Sequence, residues 1–319
     1  MYFSTTNPGM KYGGVIGESK ISVLDKINPI YLPKTTFIEN GTALIDIIYK
    51  LNEKGISYPL IVKPNFGERG KGVEKIENEE TLKTYFQKAQ EDIIIQEFIN
   101  YPIELGILYY RYPNEDKGNI SSIVMKEFLE IEGDGKKTLH ALINAKPRAT
   151  GRKDYLENKY RDQLDTVLKN GEKIRLEPIG NHCRGTKFLN GNHLINEQLK
   201  SVFDHIAKDI EGYYYGRFDL KVNSLNDLYA GKNIKILELN GVSSEPAHVY
   251  DPEMKLWNAY KDIFKHAATI QQIGYANHQA GIPYSPLKTF LKELISFLNT
   301  PKEKEINNNI NDFQIEKMA

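Results

Sequence analysis

Two strand-like segments late in the chain, GRFDLKV at 216–222 and ILELNG at 236–241, concentrate residue types that bind metal and phosphate. Alternate side chains of a strand share a face, so Arg217 stands with Asp219, and Glu238 with Asn240. Two carboxylates and an amide oxygen make a hard donor set suited to Mg²⁺. Arg217 beside such an ion is placed to meet an oxyanion or a phosphoryl group. A core strand seldom carries such groups on one face unless they bind something. The alternative is a surface strand with ordinary salt bridges.

A second segment, IVKPNFGERGKGV at 61–73, ends a strand in Lys63 beside a turn holding Gly67, Gly70 and Gly72. Small residues let backbone N–H groups close around phosphate oxygens, and Lys63 and Arg69 add positive charge. The spacing is not that of a P-loop, and GDGKKT at 133–138 fails the same test because Glu130 stands where the first glycine belongs. A hairpin turn with charges at its tip would read the same way. In a third segment, QEFINYPIEL at 96–105, Glu97 and Glu104 bracket a short apolar turn. Such a hinge can pack an adenine against Phe98 or Ile99, with the carboxylates as acceptors for ribose hydroxyls. Taken alone, two loop glutamates face solvent.

The elements that must position these groups alternate between strand and helix patterns, which implies an α+β chain. Apolar residues recur helically from Thr42 to Lys54, and YPLIVKP is a β-rich run stopped by Pro64. Helices are expected at 79–90, 139–145, 196–211, 253–272 and 286–298, and strands at 72–76, 93–95, 122–131, 213–222 and 234–240. Residues 1–20 read as loops, 146–175 as a charged helix or flap, the SLND and AGKN stretch as turns, and the tail after Pro301 as mobile.

Composition bounds the function. The 319 residues, 40% hydrophobic and 26% charged, suffice for a substantial core. Lys+Arg and Asp+Glu both number 42, so a broad nucleic-acid-binding surface is not expected. One cysteine, Cys183, excludes an internal disulfide framework. No apolar run approaches the roughly 18 residues of a membrane span, and the N-terminus lacks the order of a secretion signal. A cytoplasmic protein without membrane contact is the expectation.

Together the segments resemble the ATP-grasp superfamily, and within it the D-alanine–D-alanine ligase-like carboxylate–amine ligases. The order matches over about residues 15–255: Lys20 in GESKISVL, Lys63 with its glycine-rich loop, Glu97 to Glu104, then Arg217, Asp219, Glu238 and Asn240. MKEFLEIEGDGKKTLHALI at 125–143 is also similar to a stretch of cyanophycin-synthetase-like ligases. The resemblance implies two α+β lobes with ATP between them, the smaller over about 35–103 and the larger over about 104–283. A C-terminal helix and tail at 284–319 would complete the chain. It implies that Lys20 and Lys63 hold ATP phosphates, with Gly67, Arg69, Gly70 and Gly72 around them. Glu97, Phe98 and Ile99 would lie at the adenine and Glu104 at the ribose. Asp219, Glu238 and Asn240 would hold one or two Mg²⁺ ions, for which Mn²⁺ can substitute, and Arg217 would stabilise an acyl-phosphate.

Only 19 residues precede Lys20, where such ligases carry a whole α/β domain, so most of that domain is expected to be missing. This leaves room for a homodimer or for a partner polypeptide that supplies it. The sequence after Asn240, GVSSEPAHVYDP, differs from the dipeptide ligases, so substrate identity does not transfer. GNHCRGTKF at 180–188 stands where related enzymes have a loop facing the γ-phosphate and the acyl substrate. Arg184 is expected to be catalytic there, with His182 and Lys187 binding substrate. Ser243, Ser244, Glu245 and His248 follow the metal strand and are expected to meet the acceptor, unless Glu245 and His248 only brace that strand. The expected activity joins a small carboxylate to an amine through an acyl-phosphate, releasing ADP and phosphate. The alternatives are a small-molecule kinase and a nucleotide-binding module without turnover.

Overall fold

The computed structural model describes residues 1–67 and 70–299. Arg69 and the tail expected to be mobile lie outside the described residues. A short helix, α1 (Lys20–Leu24), is capped by Ser19, whose hydroxyl accepts from the N–H of Ser22. It leads into an antiparallel sheet of β1 (Thr35–Ile38), β2 (Leu60–Pro64), β3 (Glu74–Ile76) and β4 (Ile93–Glu97), in the order β1-β4-β2-β3. The apolar run Ile93–Ile95 takes a central place because it is buried on both faces. Helices α2 (Leu44–Lys54) and α3 (Glu79–Lys88) share its core through Ile47, Leu51 and Leu82, which pack with Ile38, Leu60, Val62 and Ile76. Asn78 and Thr81 form a reciprocal cap that starts α3.

A second antiparallel sheet is ordered β11-β10-β5-β6-β9. Its strands are β5 (Ile103–Tyr110), β6 (Asn119–Glu127), β9 (Lys187–Asn190), β10 (Tyr215–Val222) and β11 (Ile234–Asn240). Helices α6 (Glu197–Lys208) and α7 (Leu225–Ala230) cover it through Leu199, Phe203, Ile206 and Leu228, packed with Phe218, Leu220 and Ile236. Between β6 and β9 lies a small unit: β7 (Glu130–Glu132) paired with β8 (Lys173–Arg175), and helices α4 (Leu139–Asn144) and α5 (Lys153–Lys159).

Three expectations are corrected here. The strand expected over 122–131 breaks at Phe128 and Leu129, where the chain leaves the large sheet for the β7–β8 pair. The charged stretch 146–175 is no single helix or solvated flap. Its Ala149, Leu156 and Leu168 build a core of their own with Ile131, Leu139, Ile143 and Leu176. The SLND turn is the capped start of α7, with Ser224 accepting from the N–H of Asp227.

Two further helices, α8 (Leu256–Gln279) and α9 (Leu287–Asn299), follow. The apolar residues that mark α8 in the sequence face outward: Trp257 is 80% exposed and Phe264 71%. Its buried face carries His266, Thr269, Ile273, Gly274 and Asn277. The first residues of the chain pack on that face. Asn7 is fully buried; its side chain donates to the carbonyls of Tyr215 and Gly13 and accepts from the N–H groups of Tyr214 and Tyr215. Thr5 donates to the Gly274 carbonyl. The segment therefore ties the start of β10 to α8 as an ordered strap.

His266 on α8 bonds to the Tyr215 hydroxyl at 2.9 Å. Burial, reinforced by nearby His248 and Lys265 and opposed by Asp262, pushes its pKa down to about 4. A histidine depressed in the folded state is neutral there while the unfolded chain takes up a proton. Its contribution is therefore complete above pH 6.5 and is lost as pH falls toward 4. Thermal melts should show up to about 3 kcal/mol lost across that window. A His266→Gln variant should lose less; an equal loss in the variant would remove His266 as the cause.

Candidate active site

A cavity of about 710 Å³ lies between the two sheets, within the size range of small-molecule sites. One wall is built by Lys20, by Lys63 of β2, by Phe66, Gly67, Gly70 and Lys71 of the β2–β3 connection, and by Glu97, Phe98 and Ile99 after β4. Arg217, Asp219, Glu238 and Asn240 of β10 and β11 form the facing wall.

The facing wall follows from register. Arg217 pairs with Asn240 and Asp219 with Glu238 across the two strands, so all four side chains share one face. Asp219 Oδ2 accepts from Arg217 Nε at 3.1 Å, Arg217 Nη2 at 3.0 Å and Asn240 Nδ2 at 3.0 Å. Asp219 Oδ1 is buried without a hydrogen-bond partner, 3.1 Å from the ammonium of Lys126. Lys126 reaches in from β6 and also donates to Glu104 of β5 at 3.0 Å. β5 runs between these strands, and at Asp219's partner Gly106 a Cβ would stand 3.1 Å from Asp219 Oδ1 and 2.8 Å from Val124. Glycine there makes room for the cluster.

The charges hold one another. Burial works against the Lys126 ammonium, yet Asp219 and Glu104 outweigh it and raise its pKa. Burial would raise the Asp219 pKa, but Arg217 and Lys126 hold it below the ordinary value. Lys221, buried beside Glu104 and donating to the Ile99 carbonyl at 2.9 Å, is lowered by burial despite Glu104. Among the described residues no three His, Cys, Asp or Glu side chains are grouped to hold a metal ion. The hard oxygens of Asp219, Glu238 and Asn240, with Asp219 Oδ1 paired to Lys126 alone among the described residues, fit a divalent cation that takes its other ligands from phosphate.

On the opposite wall Lys63 Nζ crosses to the Leu237 carbonyl of β11 at 2.9 Å. Burial lowers its pKa to about 8, with Glu238 resisting. Lys20 donates to the Gly67 carbonyl at 2.7 Å, and the N–H of Lys20 to the Asn65 carbonyl, which docks α1 on this wall. Glu97 accepts from the N–H of Lys34 at 3.0 Å. The Phe98 ring lies 4.5 Å from the Lys75 ammonium and 5.1 Å from that of Lys221. Glu104 lines the cavity with its Oε1 engaged by Lys126.

The structure also brings His182, Ser243, Ser244 and Glu245 to the cavity. Ser243 donates to the Gly14 carbonyl and Ser244 to the Asn240 carbonyl, so both hydroxyls already brace the turn after β11. Glu245 accepts from Tyr250. Four other expected residues lie off the cavity lining. Arg184 does not line the cavity; its guanidinium is held by backbone carbonyls and Glu177. His248 is buried between Ser122 Oγ at 2.7 Å and Asp262 Oδ2 at 3.0 Å, a brace rather than a substrate contact. Lys187 lies on β9 opposite Glu127, and Gly72 packs on Pro64 and accepts from Tyr85, both away from the cavity lining.

Sequence reasoning misses Lys126, Lys221 and Gly106. The signal for the two lysines is a long cationic side chain next to apolar strand residues, Lys126 after Val124 and Met125 and Lys221 between Leu220 and Val222. That for Gly106 appears only once the strand partners are known.

Residues 19–104 match the model of the RimK-like ATP-grasp domain. The chain is 31% identical over 111 residues to a formate-dependent phosphoribosylglycinamide formyltransferase of Sulfurisphaera tokodaii, covering 33% of this chain and 27% of that protein. It thus spans about a quarter of that curated relative's length. Two solved structures are similar at 14% identity and a TM-score of 0.44. They are the VanG D-Ala:D-Ser ligase from Enterococcus faecalis, covering 85% of this chain and 63% of that one, and a D-alanine–D-alanine ligase from Bacillus anthracis complexed with ATP, covering 85% and 71%. The likeness to the RimK-like ATP-grasp domain thus lies in residues 19–104, which carry Lys20, Lys63, Glu97 and Glu104.

Proposed function

We propose that the chain is an ATP- and Mg²⁺-dependent ligase joining a small carboxylate to an amine, with amino acids or short peptides as substrates. The observation that carries this reading is the pairing of two opposed walls. The buried Lys63 and the glycine-rich turn face the hard-oxygen set of Asp219, Glu238 and Asn240, with Arg217 among them. In this reading the sheet over 35–97 is the smaller lobe and the sheet beginning at Ile103 the larger.

Lys20, Lys63 and the backbone at Gly67 and Gly70 hold the phosphates, with the base against Phe98 and Ile99. Asp219, Glu238 and Asn240 would hold one or two Mg²⁺ ions, which offset the charge of the transferring phosphoryl group. A carboxylate oxygen of the first substrate attacks the γ-phosphorus as the bond to ADP breaks. The free amine of the second attacks the acyl carbon, and phosphate leaves with the electron pair of the C–O bond and takes up the amine's proton. Arg217 donates to the oxyanion of the tetrahedral intermediate.

Lys63 gives this reading a pH dependence. It is charged below its pKa of about 8 and neutral above, so Mg-ADP affinity should fall as pH rises through that value. Titration calorimetry from pH 7 to 9 should show the fall in the wild-type chain and a flat profile in Lys63→Met.

Incubation with Mg-ATP and a panel of amino acids and dipeptides, followed by mass spectrometry, tests the class. A product lacking one water relative to two substrates supports the ligase. A substrate that has gained only a phosphoryl group would make the chain a kinase. Mg-ATP stabilisation with no ADP in any pool would make it a binding module.

A further inference from the structure

We propose that Arg184 and Glu177 form a latch that fastens the β2–β3 connection, at Gly70 and Val73, to the 180–188 turn, and so position the phosphate side of the cavity. Arg184 thereby acts as a positioning residue. The proposal rests on the nucleotide reading for its consequence, but the latch itself can be judged without nucleotide.

Arg184 ends the turn His182–Arg184, which begins at Asn181, whose Oδ1 accepts from the N–H of Cys183 at 2.8 Å. Its guanidinium works in two directions. Nη2 donates to the carbonyls of Gly70 at 2.7 Å and Val73 at 3.1 Å, more than a hundred residues away in sequence. Nη1 lies 3.6 Å from Glu177 Oε2. A planar fork is the group suited to serve two carbonyls and a carboxylate at once; an ammonium on a flexible stem is not. The approach is close. Gly70 has φ +72°, and a Cβ there would stand 3.0 Å from Asn181 Nδ2 and 3.8 Å from Arg184 Nε.

Glu177 makes the arrangement rigid. Its side chain is fully buried, and three cations converge on it: Lys159 at 3.1 Å, Arg184 at 3.6 Å and Arg152 at 3.7 Å. Oε2, which faces both arginines, has no hydrogen bond. A buried carboxylate so surrounded fixes the guanidinium direction. Lys159 also donates to the Leu176 carbonyl, anchoring the cluster to the core of the β7–β8 unit. The unit thus reaches the nucleotide wall through the Arg184 guanidinium. Since Asn181 and His182 line the cavity beside Arg184, the latch joins the substrate turn to the phosphate wall.

The test uses the full chain, with Mg-ADP as ligand and trypsin as a local probe at exposed Lys71. Arg184→Ala should speed cleavage after Lys71 in the nucleotide-free protein and weaken Mg-ADP binding about ten-fold, the loss expected for charged hydrogen bonds. Its melting temperature should fall only modestly, because Lys159 and Arg152 remain beside Glu177. Arg184→Lys keeps a cation for Glu177 and should fail to restore either readout, whereas a merely structural charge would be rescued. Glu177→Gln should shift both in the same direction. The proposal is overturned if Arg184→Ala cleaves at the wild-type rate and binds Mg-ADP within about two-fold, or if Arg184→Lys restores both. Failure of the wild-type chain to bind Mg-ADP would count against the nucleotide reading, while the cleavage comparison still decides the latch.

Discussion

Glu238→Gln is expected to lower ATP-dependent turnover by a factor of about a hundred or more while leaving the fold intact. The carboxylate stands half-exposed on β11, opposite Asp219 and facing the cavity. Among the described residues it makes no hydrogen bond or ion pair with Lys63 or Arg217, on which it acts only through its field. Glutamine keeps the shape and one carbonyl oxygen but removes the charge proposed to hold a divalent cation against phosphate. Stability should stay within about 0.5 kcal/mol of the wild type, as for other exposed substitutions. Turnover with varied Mg²⁺ and a urea melt check both halves. Near-normal turnover in a folded variant would remove Glu238 from the metal set.

Asp219→Ala should behave differently, although Asp219 is its neighbour in the same set. Reading the strand alone leads one to expect an inactive, folded protein from either substitution. The structure changes that expectation, because Asp219 is only 5% exposed and is the shared partner of Arg217, Lys126 and Asn240. Removing it leaves Lys126 with Glu104 alone and strands Arg217, and breaking such buried pairing costs about 3–5 kcal/mol. The expected result is a marked loss of stability together with loss of turnover, read as a lowered urea midpoint at unchanged slope. Asp219→Asn keeps the shape and the contact with Arg217 and should recover part of the stability but no turnover. A fully stable Asp219→Ala would contradict the buried network.

Much of this is legible from residue types. IVKP, IIIQE, GRFDLKV and IKILELN announce β2, β4, β10 and β11, because apolar runs and strict alternation are strong signals over short stretches. Arg217, Asp219, Glu238 and Asn240 can be placed on one face from alternation alone, and the pairing register agrees. What stays hidden depends on partners distant in sequence. Lys126 goes unmarked in MKE until the register with β5 sets it beside Glu104 and Asp219. Arg184 reads as a substrate ligand because a basic residue in a glycine-containing loop looks free, whereas Gly70, Val73 and Glu177 hold it. His248 follows β11 by eight residues, yet the chain turns it inward to Ser122 and Asp262. The strap of residues 1–15 looks like loop because its small polar side chains bond to backbone, a use that periodicity does not record.

The central claim is that Mg-ATP and a carboxylate meet in this cavity to form an acyl-phosphate. Hydroxylamine intercepts that species, so the first substrate can be found without knowing the amine. The chain would be incubated with Mg-ATP, hydroxylamine and a panel of amino acids and small carboxylates, and hydroxamates and ADP quantified together. The account expects one carboxylate to give hydroxamate and ADP in equal amounts, both lost in Glu238→Gln. ADP formed with a stable phosphorylated product and no hydroxamate, or a hydroxamate that persists in Glu238→Gln, would contradict it.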